Sequence, residues 1–258
     1  MLHSARLLRV ALLGIVYGAA GAAAQSVNQP TRPAIDPVAI AIFERHLAAT
    51  VPSKPFKYTH LVAEMSSGNG PATRLERFSM RPDKLVTHTT IPGFGTIRTG
   101  FDGKIGWSLV PRTGATLLEG DQLTQFRATG DNTSKLAIGN FVALASVGRD
   151  TLDGRVVDAV FGVSANGDSV TYYVDIESGL LAGLRARRAG GQVADTGTVM
   201  LFADYERLSG SLVATRITTR VSGRELVLRT IQFDHDAIDA AIFTVPKVVQ
   251  AMLKRRQP

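Results

Sequence analysis

Apolar and polar residues alternate with period two through Val170-Thr171-Tyr172-Tyr173-Val174-Asp175-Ile176, and the run resumes after Glu177-Ser178-Gly179 along Leu180 to Arg188. β-Branched and aromatic residues interrupted by a short Ser-Gly turn predict an antiparallel hairpin. After Gly190-Gly191 a second hairpin is predicted, running out through Val199 to Tyr205, turning at Gly210 and returning along Leu212 to Val221.

The same pattern extends over most of the chain. Asp36 as a cap and Pro37 at the first helical position predict a helix to about Ala49, with Val38, Ile42 and Leu47 on its apolar side and Ile40 and Phe43 flanking. Strands are then predicted over Phe56 to Met65, Thr73 to Met80, Leu85 to Thr90 and Thr96 to Phe101, the second and third joined by the turn Arg81-Pro82-Asp83-Lys84. In the second strand Leu75 and Arg77 share one face, and Arg74, Glu76 and Phe78 the other. Asp102-Gly103 is a strong two-residue hairpin signal, and the strand after it puts Ile105, Trp107 and Leu109 on one face. From Gly120 to Val147 the spacing of Leu123, Phe126, Leu136, Ile138, Phe141, Leu144 and Val147 is closer to helical, with Asp121 and Ser134 as caps, which predicts two short helices. Arg155 to Val163 and Leu226 to Phe233 complete the strands, Asp234 to Ala241 is expected as a last short helix, and the basic tail from Met252 is expected to be loose.

These elements make the chain mainly β: about 11 antiparallel strands, joined by short turns, with a few helices. So many strands cannot lie flat, because a twist of roughly 20–25° per neighbour curls the sheet. The expected architecture is a strongly curved antiparallel half-barrel with helices covering its open side. Residues 1–24 are expected to be a signal peptide, 25–34 a flexible linker, 35–250 one domain and 251–258 a basic tail.

The leader rests on Arg6 and Arg9, an apolar run from Val10 to Val16, and Ala22-Ala23-Ala24. The apolar run falls short of the roughly 20 residues that span a bilayer, so export with cleavage is expected, to the periplasm or otherwise outside the cell. Cysteine is absent, which excludes both a lipidated cysteine and a disulfide framework. The formal charge of +7 suits contact with an anionic membrane surface, or basic residues scattered over solvated strand faces.

Catalytic and metal chemistry have little support. Asp195-Thr196-Gly197-Thr198 matches the aspartic-protease tripeptide, but that chemistry needs two close carboxylates, and no apolar strand leads into the loop. The cluster Asp234, His235, Asp236 and Asp239 fits a solvated helix start better than a metal site. Neither Gly-x-Ser-x-Gly nor a phosphate-binding glycine loop is present, so no catalytic residue, metal or cofactor is assigned. Nucleic acid is not expected as a partner, because Arg185, Arg187 and Arg188 lack aromatic neighbours on their strand. Those arginines are expected to guard a sheet edge or to meet anionic head groups.

Several segments, taken in order, resemble the periplasmic LolA-like lipoprotein carriers and their outer-membrane lipoprotein-sorting relatives. They are Arg81-Pro82-Asp83-Lys84-Leu85, Phe101-Asp102-Gly103-Lys104 with Trp107 downstream, Asp175-Ile176-Glu177-Ser178-Gly179-Leu180, Phe202-Ala203-Asp204-Tyr205 with Gly210, and Asp239-Ala240-Ala241-Ile242-Phe243-Thr244-Val245-Pro246. The resemblance covers roughly Pro55 to Pro246 and implies a half-open barrel around an apolar cavity with helices as a lid. It also implies carriage of lipid or lipoprotein acyl chains without catalysis. The candidate ligand-binding residues are Ile105, Trp107, Leu109, Phe126, Phe141 and Leu144, which equally suit a filled core. The alternative to a lipid carrier is an interaction or sensor module that uses the same sheet to contact an envelope protein.

Overall fold

The computed structural model describes residues 35–50, 56–68, 70–129, 141–165, 167–187, 198–221 and 223–256. The predicted leader and linker, the helix expected from Ser134, the Gly190-Gly191 turn and the Asp195-Thr196-Gly197 tripeptide lie outside them.

The described residues form three α-helices, a short 3-10 helix at Ala240–Phe243, and strands that all join one sheet. Helix α1 (Pro37–Thr50) precedes β1 (Tyr58–Ser66), β2 (Thr73–Met80), β3 (Lys84–Ile91), β4 (Gly95–Phe101), β5 (Gly106–Val110) and β6 (Gly114–Leu118). Helix α2 (Gly120–Ala128) leads to β7 (Phe141–Leu152), β8 (Arg155–Ser164), β9 (Ser169–Asp175) and β10 (Leu181–Arg187). Then come β11 (Thr198–Leu208), β12 (Ser211–Val221), β13 (Arg224–Asp234) and α3 (Lys247–Arg256). The 13 strands run in the order β6-β5-β4-β3-β2-β1-β13-β12-β11-β10-β9-β8-β7. Every neighbouring pair is antiparallel, and the edges β6 and β7 do not pair, so the sheet is not closed. The strand number is higher than the predicted 11. Two local meanders meet where β13 pairs with β1, Leu61 opposite Phe233 and Met65 opposite Leu228.

Asp36 fixes the start of α1. Its Oδ1 accepts the Val38 amide at 2.9 Å, while Oδ2 accepts the Ser146 amide of β7, also at 2.9 Å. One carboxylate thus caps the helix and ties it to the sheet edge. The buried stripe is Ala39, Ile42, Phe43 and His46, one position round from the predicted side, and Val38 is 57 % exposed. Phe43 packs edge-on against Tyr172 at 5.3 Å and near Phe141 at 6.2 Å.

Four expectations are corrected. Phe141, Leu144 and Val147 belong to a strand rather than a helix. Register shifts between Phe141 and Ala143 and between Ser146 and Gly148 break the strict alternation, so Phe141 and Leu144, three apart, both reach the α1 cluster. Asp234 to Asp239 is not helical, because β13 runs to Asp234 and only Ala240–Phe243 turns, with Asp239 accepting the Ala241 amide at 2.9 Å. The segment beyond Lys247 is the ordered helix α3, held by fully buried Val249. Lastly, Arg185 and Arg187 lie on β10, which is internal to the sheet between β9 and β11 and so guards no edge.

Candidate functional site

Directly opposed residues of an antiparallel sheet share a face, so the register separates the two sides of the molecule. Trp107, Gly100, Val86, Phe78 and His60 oppose one another in turn across β5 to β1. This face carries the C-terminal elements: Trp107, Val86, Phe243 and Val249 form one buried cluster, with Ile105 and Leu109 packed against it. The other face carries α1 and α2. Leu123 of α2 sits over Gly106, where a Cβ would come within 2.6 Å of it, and Arg127 lies over the Phe101 ring at 4.8 Å. On the far half of the sheet the α1 cluster includes Val160, Tyr172 and Leu184 of that same face.

The six predicted ligand residues therefore do not come together. Ile105, Trp107 and Leu109 pack under α3, Phe141 and Leu144 pack under α1 on the opposite face, and Phe126 is half-buried on α2. Trp107 has 0 % exposure, and its ring occupies the space that a Cβ on Gly100 would take, 2.3 Å away.

Between the two helices this face carries a strip of apolar side chains with threonines set beside it, Thr230 opposite Ala63 and Thr89 opposite Leu75. From the α1 side it runs through Phe202, Ile217, Leu228 and Met65, all half-buried, where Phe202 opposes Ile217, Ile217 opposes Leu228 and Leu228 opposes Met65. Along β1 and β2 it continues through Ala63, Leu75 and Leu61. Toward α2 it is bounded by buried Leu85, Ile97 and Phe101.

One charge interrupts this surface. Arg77 opposes Leu61 on one side and Thr87 on the other. The residue keeps some solvent access, but its Nε is enclosed, and its side chain makes no hydrogen bond or ion pair among the described residues. Burial without a partner holds its guanidinium down at about 10. The neighbouring Thr87 hydroxyl is also enclosed and unpartnered, as is the Gln125 side-chain nitrogen on α2. Only Trp107 Nε1 shares that condition among the described residues, and it lies on the other face. Farther along the row, Thr99 and Ser108 satisfy each other at 3.4 Å. The alternation of β2 already places Arg77 beside Leu75, so an isolated cation on an apolar strand face was the available signal.

The histidine and acid cluster has another use. His235 Nδ1 meets the Tyr58 carbonyl and Nε2 meets the Ser211 hydroxyl, each at 3.0 Å, and the ring stacks on Phe56. Among the described residues no group of three or more metal-ligating side chains converges. His46, buried between α1 and the β9–β10 turn, has Nδ1 3.1 Å from the Leu181 amide and 3.3 Å from the Gly179 carbonyl, and its burial favours the neutral ring, whose unprotonated Nδ1 accepts the amide.

No protein-family model and no curated protein matches the chain. Solved structures do. A LolA superfamily protein from Nitrosomonas europaea is 14 % identical, with 80 % of this chain and 97 % of that one covered at a TM-score of 0.55. A DUF1329 family protein from Desulfovibrio piger is 10 % identical, with 80 % and 97 % covered at 0.57. A domain from Vibrio parahaemolyticus, named as an outer membrane lipoprotein-sorting protein, is 12 % identical, with 84 % and 99 % covered at 0.54. At such identities the likeness concerns architecture, and in architecture this chain has the LolA-like fold.

Proposed function

We propose that this is an exported, non-enzymatic protein that binds an acyl chain, of a lipid or a lipidated partner, on the sheet face covered by α1 and α2. The observation that carries this reading is the continuous half-buried apolar strip of Met65, Leu75, Phe202, Ile217 and Leu228 between the two helices. Phe202 packs at the border of the α1 cluster, while Met65, Leu75, Ile217 and Leu228 belong to none of the buried clusters of the described residues, as a surface that keeps apolar side chains reachable would have it. The leader pattern at residues 1–24 supports export, with envelope lipid or lipoprotein trafficking as the setting.

Topology supports a curved sheet. Helix α2 lies over β4 and β5, and β4 is ten inter-strand steps from β7, roughly 48 Å on a flat sheet. The chain from Thr129 to Phe141 reaches about 40 Å fully extended. A flat sheet would pull that connection taut, and bending the edges toward each other relieves it.

The test is binding of a fluorescent fatty-acyl probe to the delipidated full-length chain, with mass spectrometry of lipids that co-purify natively. A charge in an apolar site is costly, so Leu228→Asp should weaken the probe by about tenfold or more while a cooperative melt persists. Repeated purification without lipid, together with no probe uptake, would sink the proposal. Retention of an envelope protein instead of lipid would favour the interaction-module alternative.

A further inference from the structure

The apolar strip explains an acyl chain but not the cation set into it. Arg77 projects on the same face as Leu75 and Leu61, with Nε enclosed and no partner among the described residues. Enclosing a cation without a counter-charge is unfavourable. Two further enclosed polar groups without partners belong to this side of the molecule, the Thr87 hydroxyl directly opposite Arg77 and the Gln125 amide of the covering helix. Arginine, threonine and glutamine side chains can all donate hydrogen bonds, and guanidinium geometry suits the paired oxygens of a carboxylate or phosphate.

We propose that Arg77, assisted by Thr87, is the headgroup anchor of this face, and that its ligand is a single-chain or few-chain amphiphile whose polar end is a carboxylate or phosphate. The inference rests on the acyl-binding reading above and adds the chemistry of the ligand's other end. With the headgroup at Arg77, the chain lies over Leu75 and Ala63, which oppose each other, and then over Met65 and Leu228, which do likewise. The lowered proton affinity of the guanidinium agrees with a site that is electrostatically incomplete without an anion.

Three probes of equal chain length separate headgroup from chain: laurate, dodecyl phosphate and uncharged dodecanol, each measured by displacement of a neutral apolar fluorophore from the delipidated full-length chain. A charge-assisted hydrogen-bonded contact corresponds to a preference of about 10- to 100-fold, so laurate and dodecyl phosphate should bind that much more tightly than dodecanol. Arg77→Met should bring the laurate-to-dodecanol ratio to about one, and Arg77→Lys should restore part of it. Near-ultraviolet circular dichroism identifies any variant that has lost its packing, and the wild-type ratio tests the proposal without a variant. Equal binding of all three probes to wild type would overturn the headgroup assignment and leave the acyl reading standing. An unchanged ratio in Arg77→Met would do the same. Acetate or inorganic phosphate binding as tightly as the amphiphiles, and depending on Arg77, would make the ligand a free anion and overturn the amphiphile. Failure of every probe, dodecanol included, would overturn the acyl reading and the anchor together.

Discussion

At the scale of single residues, the fold spends its only tryptophan on structure. Trp107 closes the cluster under α3, and Gly100 opposite it is the residue that makes room. A methyl group at Gly100 would fall 2.3 Å from the indole, inside any tolerable contact. Gly100→Ala should therefore destabilise the protein by about 1–3 kcal/mol, through forced displacement of the ring. Urea unfolding checks this, and tryptophan emission should shift with it because no second tryptophan contributes. An unchanged midpoint would mean that the ring is free to move, which the packing denies. Alternation from Ile105 into β5 put Ile105, Trp107 and Leu109 on one side, where all three join the cluster under α3, but nothing local says which face of a sheet α1 and α2 cover. That depends on where distant helices dock. Arg77 shows the same limit, since its face was legible beside Leu75 while its isolation follows from what β1 and β3 place around it.

Among the elements, α1 was the most legible and shows why. Asp36 and Pro37 are local signals that fix its start, while the apolar side expected at Val38, Ile42 and Leu47 is turned by one position to Ala39, Ile42, Phe43 and His46. Its docking adds a pH dependence that local pattern does not contain. Burial lowers the proton affinity of His46 from the ordinary 6.5 and outweighs the Gly179 carbonyl, 3.3 Å from Nδ1, which pulls the other way; the neutral ring can accept the Leu181 amide through Nδ1. His88 on β3 is lowered too, first by burial and then by Arg98. The unfolded chain protonates these rings below about 6.5 while the folded chain resists, so the unfolded state holds more protons and stability falls on acidification through that range. His46→Asn keeps an acceptor near Nδ1 without titrating, and thermal melts from pH 7.5 to 5 should show a shallower loss for it than for wild type. Equal slopes would remove His46 as the source. The elements misread are those whose signals conflict: bulges in β7 mimic a helical spacing, and α3 ends in the basic run Lys254-Arg255-Arg256 and has a single buried residue, Val249.

For the whole molecule, the decisive feature is a pairing of sequence ends. Apart from the β10–β11 connection, the strands of each meander are joined through turn signals a few residues long, yet the register of β1 on β13, His60 opposite Asp234, links segments that no local pattern connects. That junction joins two short sheets into one and makes the strip from Phe202 to Leu75 continuous. Without it the chain would hold two separate apolar patches and no surface of acyl-chain length. It also places α1 and α2 on a shared face, leaving the opposite one to α3. Acyl binding on the α1 and α2 side therefore requires that this face, and not the α3 face, meets the ligand. The most direct measurement is photolabelling of the full-length chain with a long-chain fatty acid bearing a diazirine near its methyl end, followed by peptide mass spectrometry. Labels at Met65, Leu75, Ile217 or Leu228 are the predicted result, and labels confined to the α3 face around Ile105 and Leu109, or none that excess unlabelled fatty acid suppresses, would contradict it.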